Sequence, residues 1–202
     1  MSAAPVEQPH GDRSLIAEAN RIMDRLPGRR VEIIGGQILV TPSPDVAHSR
    51  ALKKVARPFE AAGLDEDETE VHQAIGVWLP DGPEDYAIPD LCIVEADIDE
   101  HLVENNSYDP VVFRLVLEVT SSNWQADLRT KVTAYAQAKI PVYVIVDRKH
   151  QRLHVLTDPT PDKYTTHRIH APGELVTLPD SIGAKVTLDV AEILKAGQTK
   201  RD

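Results

Sequence analysis

The sequence predicts an α/β (α+β) fold, a central mixed β-sheet flanked by helices, and three observations predict it. Between Asp12 and Leu26 the apolar residues Leu15, Ile16, Ala19, Ile22, Met23 and Leu26 recur at the spacing of one helix face. The runs VVFRLVLEVT and PVYVIVD are continuously apolar over a strand's length, as expected of strands covered on both faces. Between these two runs Leu128, Val132, Tyr135 and Ala136 return to helical spacing, so a strand, helix, strand unit lies at the heart of the chain.

The remaining elements follow in order. Pro27-Gly28 ends the first helix, and VEIIGGQILVTP then places two β-branched runs around Gly35-Gly36, the signal of a tight hairpin. Ser43-Pro44-Asp45 supplies turn and cap chemistry for a helix over 46–62, with Ala51, Leu52, Val55 and Phe59 facing inward. The acidic loop LDEDETE leads to strands over 70–79, 86–95 and 111–120, the last two joined by a polar stretch over 97–110. A helix over 126–138 precedes PVYVIVD. A turn at Arg148 to Gln151 leads into RLHVLT, short strands follow, and a final helix spans 190–194. The expected organisation is a disordered N-terminus over 1–11, one domain over 12–195 and a disordered tail over 196–202. Internal repeats are absent, which excludes a solenoid.

Composition narrows the function. With 202 residues, 42% hydrophobic and 27% charged, the chain is an ordinary globular protein able to bury one core. No apolar run reaches the length of a membrane span, and the first residues carry neither an apolar stretch nor a basic cluster, so a cytoplasmic protein is expected. Cys92 is the only cysteine, which excludes an internal disulfide and a thiolate metal cage; it reads as a small buried hydrophobe. A net charge of −10 excludes coating nucleic acid by bulk electrostatics, so any such contact has to be local. Arg50, Lys53, Lys54 and Arg57 share one helix side and are candidates for that contact; a solvated helix face fits them equally.

Two acids carry the chemistry, because each interrupts an apolar strand: Asp90 in YAIPDLCIV and Glu118 in VLEVTSS. Buried carboxylates are costly unless paired or bound to a cation. If their strands are neighbours, the two converge on the oxygen-rich, incompletely filled ligand set that magnesium prefers. Lys131 lies thirteen residues beyond Glu118, on a helix face shared with Asp127 and Tyr135, and can return an ammonium group to the acids. Phosphodiester hydrolysis needs this combination, with metal-held carboxylates to neutralise the phosphate and a lysine to orient the water or meet developing charge. Taken singly, each residue has a structural alternative: a strand cap for Asp90, an arginine pair for Glu118, a surface pair with Asp127 for Lys131. Repulsion between clustered acids predicts that losing Asp90 stabilises the metal-free protein. Loss of Lys131 is expected to slow turnover while leaving folding intact.

Ser121, Ser122 and Asn123 read as turn and cap residues, and Trp78 and Trp124 as core or rim aromatics. Only 4% of residues are aromatic, which disfavours a glycosidase cleft, and a phosphate-cradling glycine loop and an HExxH motif are both missing.

The segments VEIIGGQILVTPSP with His48, IPDLCIV, and LVLEVTSSNWQADLRTKVTAYAQAKIPVYVIVD, in this order over roughly residues 29–157, resemble the Uma family of restriction-endonuclease-like proteins within the PD-(D/E)xK nuclease superfamily. The resemblance implies a restriction-endonuclease-like core, with Asp90 as the PD aspartate and Glu118 as the acid of the second half-motif. It departs from the common pattern at Thr120, where the superfamily has lysine; in this family the lysine looks relocated to the helix, the place of Lys131. Glu32 matches a glutamate of the first hairpin and His48 a histidine opening the next helix, either of which could complete the metal site. A strand-edge ion pair for Glu32 and a helix N-terminal cap or surface position for His48 are the alternatives. The implied activity is that of an endodeoxyribonuclease using Mg2+, with Mn2+ able to substitute, and DNA as substrate. The alternative from another class is a catalytically silent nuclease-like fold that binds nucleic acid or protein. The net acidity leans toward that alternative and the intact triad toward the enzyme. A homodimer is left open, and a membrane partner is not expected.

Overall fold

A computed structural model describes residues 14–66, 68–120 and 126–199. The expected disordered start over 1–11, residues 200–202 of the tail, and the turn residues Ser121 to Asn123 with Trp124 lie outside the described residues, as does the Asp127 side chain. The chain forms α1 (Leu15–Arg25), the hairpin β1 (Arg30–Ile34) and β2 (Gln37–Thr41), α2 (Val46–Ala61), β3 (Thr69–His72), β4 (Gly76–Trp78), β5 (Tyr86–Ala87) and β6 (Leu91–Glu95). Then come β7 (Leu102–Glu104), β8 (Ser107–Tyr108), β9 (Phe113–Val119), α3 (Lys131–Gln137), β10 (Val142–Asp147), β11 (Arg152–Pro159), β12 (Tyr164–His170), β13 (Leu175–Thr177), β14 (Thr187–Asp189) and α4 (Val190–Ala196).

The strands β12-β11-β10-β9-β6-β3 form a six-stranded mixed sheet. Its single parallel pair, β9 with β10, is the strand, helix, strand unit expected from sequence, with α3 as the crossover. Strand alternation divides the core between its faces. Leu91, Ile93, Leu115, Leu117 and Val144 pack against Ala51, Val55 and Phe59 of α2 and Ile193 of α4. Cys92, Val116, Tyr143 and Ile145 pack on the other side against Ala134 and Tyr135 of α3. Asp90 and Glu118 share the parity of Cys92 and Val116, so both acids point to the α3 side.

Two expected strands are each divided. The run over 70–79 becomes β3 and β4, and the run over 86–95 becomes β5 and β6, with the halves in different sheets. The second break is Ile88-Pro89-Asp90, where proline cannot donate to a ladder. The freed halves build a second six-stranded sheet, β2-β1-β5-β4-β8-β7, which also takes up β7 and β8 from the stretch expected to be a polar connection. One face of its strand β1, Val31 and Ile33, packs with Tyr86 against Ile16 and Ala19 of α1. The other face, Arg30 and Glu32, turns to the acids. The helix expected over 126–138 opens with a π-helical turn, Ala126–Thr130, so Lys131 starts the α-helical part instead of lying mid-helix.

The hairpin is fastened by its turn. Gly35 and Gly36 have φ of +61° and +68°, a pair of left-handed residues that a two-residue turn requires. Their N–H groups donate to the buried Asp85 carboxylate, Gly35 at 2.6 Å and Gly36 at 3.1 Å. This bond ties the strand carrying Arg30 and Glu32 to the segment that leads to Asp90. Asp85→Ala removes a charged acceptor from both amides and is expected to destabilise the protein by about 3 kcal/mol in urea denaturation. An unchanged midpoint would show that the hairpin needs no such anchor.

Candidate active site

The register Leu91↔Leu117 between antiparallel β6 and β9 sets Asp90, one residue before β6, across from Glu118. Each acid has one oxygen held by its own surroundings. Asp90 Oδ2 accepts the Val119 N–H at 2.8 Å and meets His48 Nε2 at 2.9 Å. Glu118 Oε1 accepts from Lys131 Nζ at 2.7 Å and from the Tyr135 hydroxyl at 3.0 Å. Arg30 touches the other oxygen of both acids: Nη2 donates to Asp90 Oδ1 at 2.7 Å, and Nη1 lies 3.8 Å from Glu118 Oε2.

Lys131 is only 3% exposed, so it does not stand on the helix surface. Its ammonium also lies 2.8 Å from Glu32 Oε1, and that oxygen accepts the Ile88 N–H at 2.7 Å. Glu32 therefore acts on the lysine. His48 is buried one turn into α2, behind the N-cap Asp45 that accepts its backbone N–H. Since Asp90 offers only acceptors, Nε2 carries the proton, and Nδ1 is buried with no partner among the described residues. Arg30, Glu32, His48, Asp90, Glu118 and Lys131 together line an open cavity of about 420 Å³.

Electrostatics hold Asp90 and Arg30 in their charged forms. Burial alone would raise the Asp90 pKa, but the His48 hydrogen bond, the Arg30 charge and the Val119 N–H outweigh it and hold the carboxyl well below its usual range. For Arg30, burial opposes the charge and the carboxylates of Asp90, Glu118 and Glu32 more than restore it, so its pKa is raised. Burial and the Glu118 charge push the Tyr135 phenol well above its ordinary value, so it remains a donor.

The structure thus gathers Asp90, Glu118, Lys131, Glu32 and His48 around one cavity. Arg50, Lys53, Lys54 and Arg57 do not join them. They lie along α2, where Lys54 pairs with Glu192 of α4 at 3.0 Å. Arg30 was missed by sequence reasoning, although its spacing of two from Glu32 places both on one face of β1. Two expectations are corrected. Asp90 is surrounded by cationic and N–H donors, so its loss leaves Arg30 short of a partner instead of relieving repulsion. Lys131 sits buried between two carboxylates, so its removal is expected to disturb folding instead of leaving it intact.

Lys131→Met is accordingly expected to destabilise the protein by about 3 to 5 kcal/mol, since it takes the ammonium from two buried carboxylates. The depressed Asp90 carboxyl stabilises the fold fully above its unfolded pKa of about 3.9, and that stabilisation is lost as the pH falls toward the folded value. Asp90→Asn should be less stable at neutral pH and decline less steeply below about pH 4. Urea denaturation across this range checks both; parallel acid limbs would remove Asp90 from the account.

Comparisons with known proteins bear on the family and the fold. A family model described as "Uma2: Putative restriction endonuclease" matches residues 17–191. A crystal structure described as "a putative nuclease belonging to DUF820", from Anabaena variabilis, is similar with a TM-score of 0.64 at 14% identity, covering 83% of this chain and 91% of that chain. At that identity the likeness speaks for the fold, which is restriction-endonuclease-like, as the sequence led us to expect. No curated protein matches the sequence. The family match takes in the main sheet, the hairpin of Glu32 and every cavity residue named above, and the chain belongs to the Uma2 family.

Proposed function

We propose that this chain is an endodeoxyribonuclease, a hydrolase of DNA phosphodiester bonds that depends on Mg2+, for which Mn2+ can substitute. The observation that carries the reading is the convergence of Asp90 and Glu118 from paired strands on a cavity where Lys131 is buried at 2.7 Å from Glu118. Family membership and the nuclease description of the similar structure support the same class.

The donor set fits the ion. Magnesium is commonly held by one or two carboxylates, with waters and substrate phosphate completing its shell. When bound by Asp90 and Glu118, the ion neutralises phosphate charge and lowers the pKa of a water.

The protein's own groups divide the remaining work. Lys131, fixed by Glu118 and Glu32, presents a proton donor on the cavity wall to orient the attacking water or meet charge on the phosphate. Glu32 positions Lys131, His48 positions Asp90, and Tyr135 positions Glu118. Arg50, Lys53, Lys54 and Arg57 offer phosphate contacts along α2, a local attraction in a chain of net charge −10. We assign residues 12–195 to one domain acting in the cytoplasm. No helix among the described residues is long and apolar enough to cross a membrane.

Single-turnover cleavage of supercoiled plasmid and of single-stranded DNA, with Mg2+ and with Mn2+, tests the reading. Asp90→Ala and Glu118→Ala should each lose on the order of a thousandfold in rate. Lys131→Gln should lose on the order of a hundredfold in molecules that circular dichroism shows to be folded. Absence of metal-dependent cleavage by the wild type on any tested DNA would leave the silent binding fold as the better reading.

A further inference from the structure

Arg30 stands where a shared cation would stand. The fold grips the outer oxygen of each acid, Asp90 Oδ2 through the Val119 N–H and His48, and Glu118 Oε1 through Lys131 and Tyr135. The other oxygen of each acid faces the Arg30 fork, at 2.7 Å for Asp90 and 3.8 Å for Glu118. Two buried carboxylates brought face to face repel unless a cation lies between them, and the guanidinium is that cation.

Lys131 and Arg30 are held differently. Lys131 is 3% exposed and bonds two acids at 2.7 and 2.8 Å. The Arg30 side chain is 23% exposed, leaves from the first residue of β1, and makes only one short contact. Its long flexible stem allows the head group to leave the acids for solvent without disturbing the strand.

We propose that Arg30 is a resident counter-cation that competes with the divalent ion for Asp90 and Glu118, yields when the ion binds, and is then available to a DNA phosphate at the cavity. This inference rests on the metal-dependent reading above. It explains how the fold keeps two acids aligned without metal, and it makes ion binding an exchange of one cation for another.

Calorimetric titration of Mn2+ into the full chain, without DNA, tests the exchange. Arg30→Gln removes the competitor and should bind Mn2+ at least about tenfold more tightly than wild type, with a correspondingly larger Mn2+-induced rise in Tm. Its Tm in EDTA should fall, since the acids lose their counter-charge. Arg30→Lys keeps a charge but not the fork, is the better-folded fallback, and should give an intermediate Kd. Asp90→Asn added to Arg30→Gln should abolish the gain. A merely structural arginine would weaken Mn2+ binding along with stability. Mn2+ affinity equal to or weaker than wild type in both Arg30 variants overturns the counter-cation and leaves the nuclease reading standing. Absence of Mn2+ binding by wild type and variants alike overturns both.

Discussion

Glu32, Asp90 and Glu118 are buried on one side of the main sheet, and the fold around them is organised by the need to compensate their charge. An isolated carboxylate taken out of water costs several kcal/mol, so each must meet donors as the chain compacts. Arg30, His48, Lys131, Tyr135 and the Val119 and Ile88 amides meet that need. These groups come from β1, α2, α3, β9 and the segment between β5 and β6, so satisfying the acids brings parts of both sheets and two helices into one arrangement.

The second sheet is what completes the cluster. The main sheet alone supplies Asp90 and Glu118, and α3 supplies Lys131, but Arg30 and Glu32 arrive on a hairpin from another sheet. Pro89 lies between the last residue of one sheet, Ala87, and the first of the other, Leu91, with Asp90 beside it. Around this junction the Ile88 amide holds Glu32, and the Asp85 carboxylate holds the hairpin turn. A strand break that would weaken a sheet thus serves to pin two sheets against one cavity. Because Glu32 anchors Lys131, the position of the lysine depends on the hairpin as much as on its own helix.

A chain with net charge −10 has to meet a polyanion through local features. Arg29, Arg30 and Lys131 line the cavity, and the basic strip of α2 lies apart from it. Compensation of buried acids by arginine and lysine therefore does two things at once, stabilising the fold and placing positive charge at the candidate site.

Much of the main sheet could be read directly, since the apolar runs of β9 and β10 and the helical spacing between them are local properties of the chain. Asp90 and Glu118 were visible for the same reason, as charges where the pattern demanded none. Arg30 was legible in principle, because alternation puts it beside Glu32, but nothing local says that this face of the hairpin meets the acids. The division of the runs over 70–79 and 86–95 between sheets was not legible, because a strand's apolar residues do not say which sheet will bury them. Nor was the pairing of Lys54 with Glu192, 138 residues away. The sequence by itself determined which residues are too polar for their surroundings and on which strand or helix each lies. Only the tertiary structure decided which of them face one another, because charge compensation acts through space, between elements whose meeting depends on the packing of the whole chain.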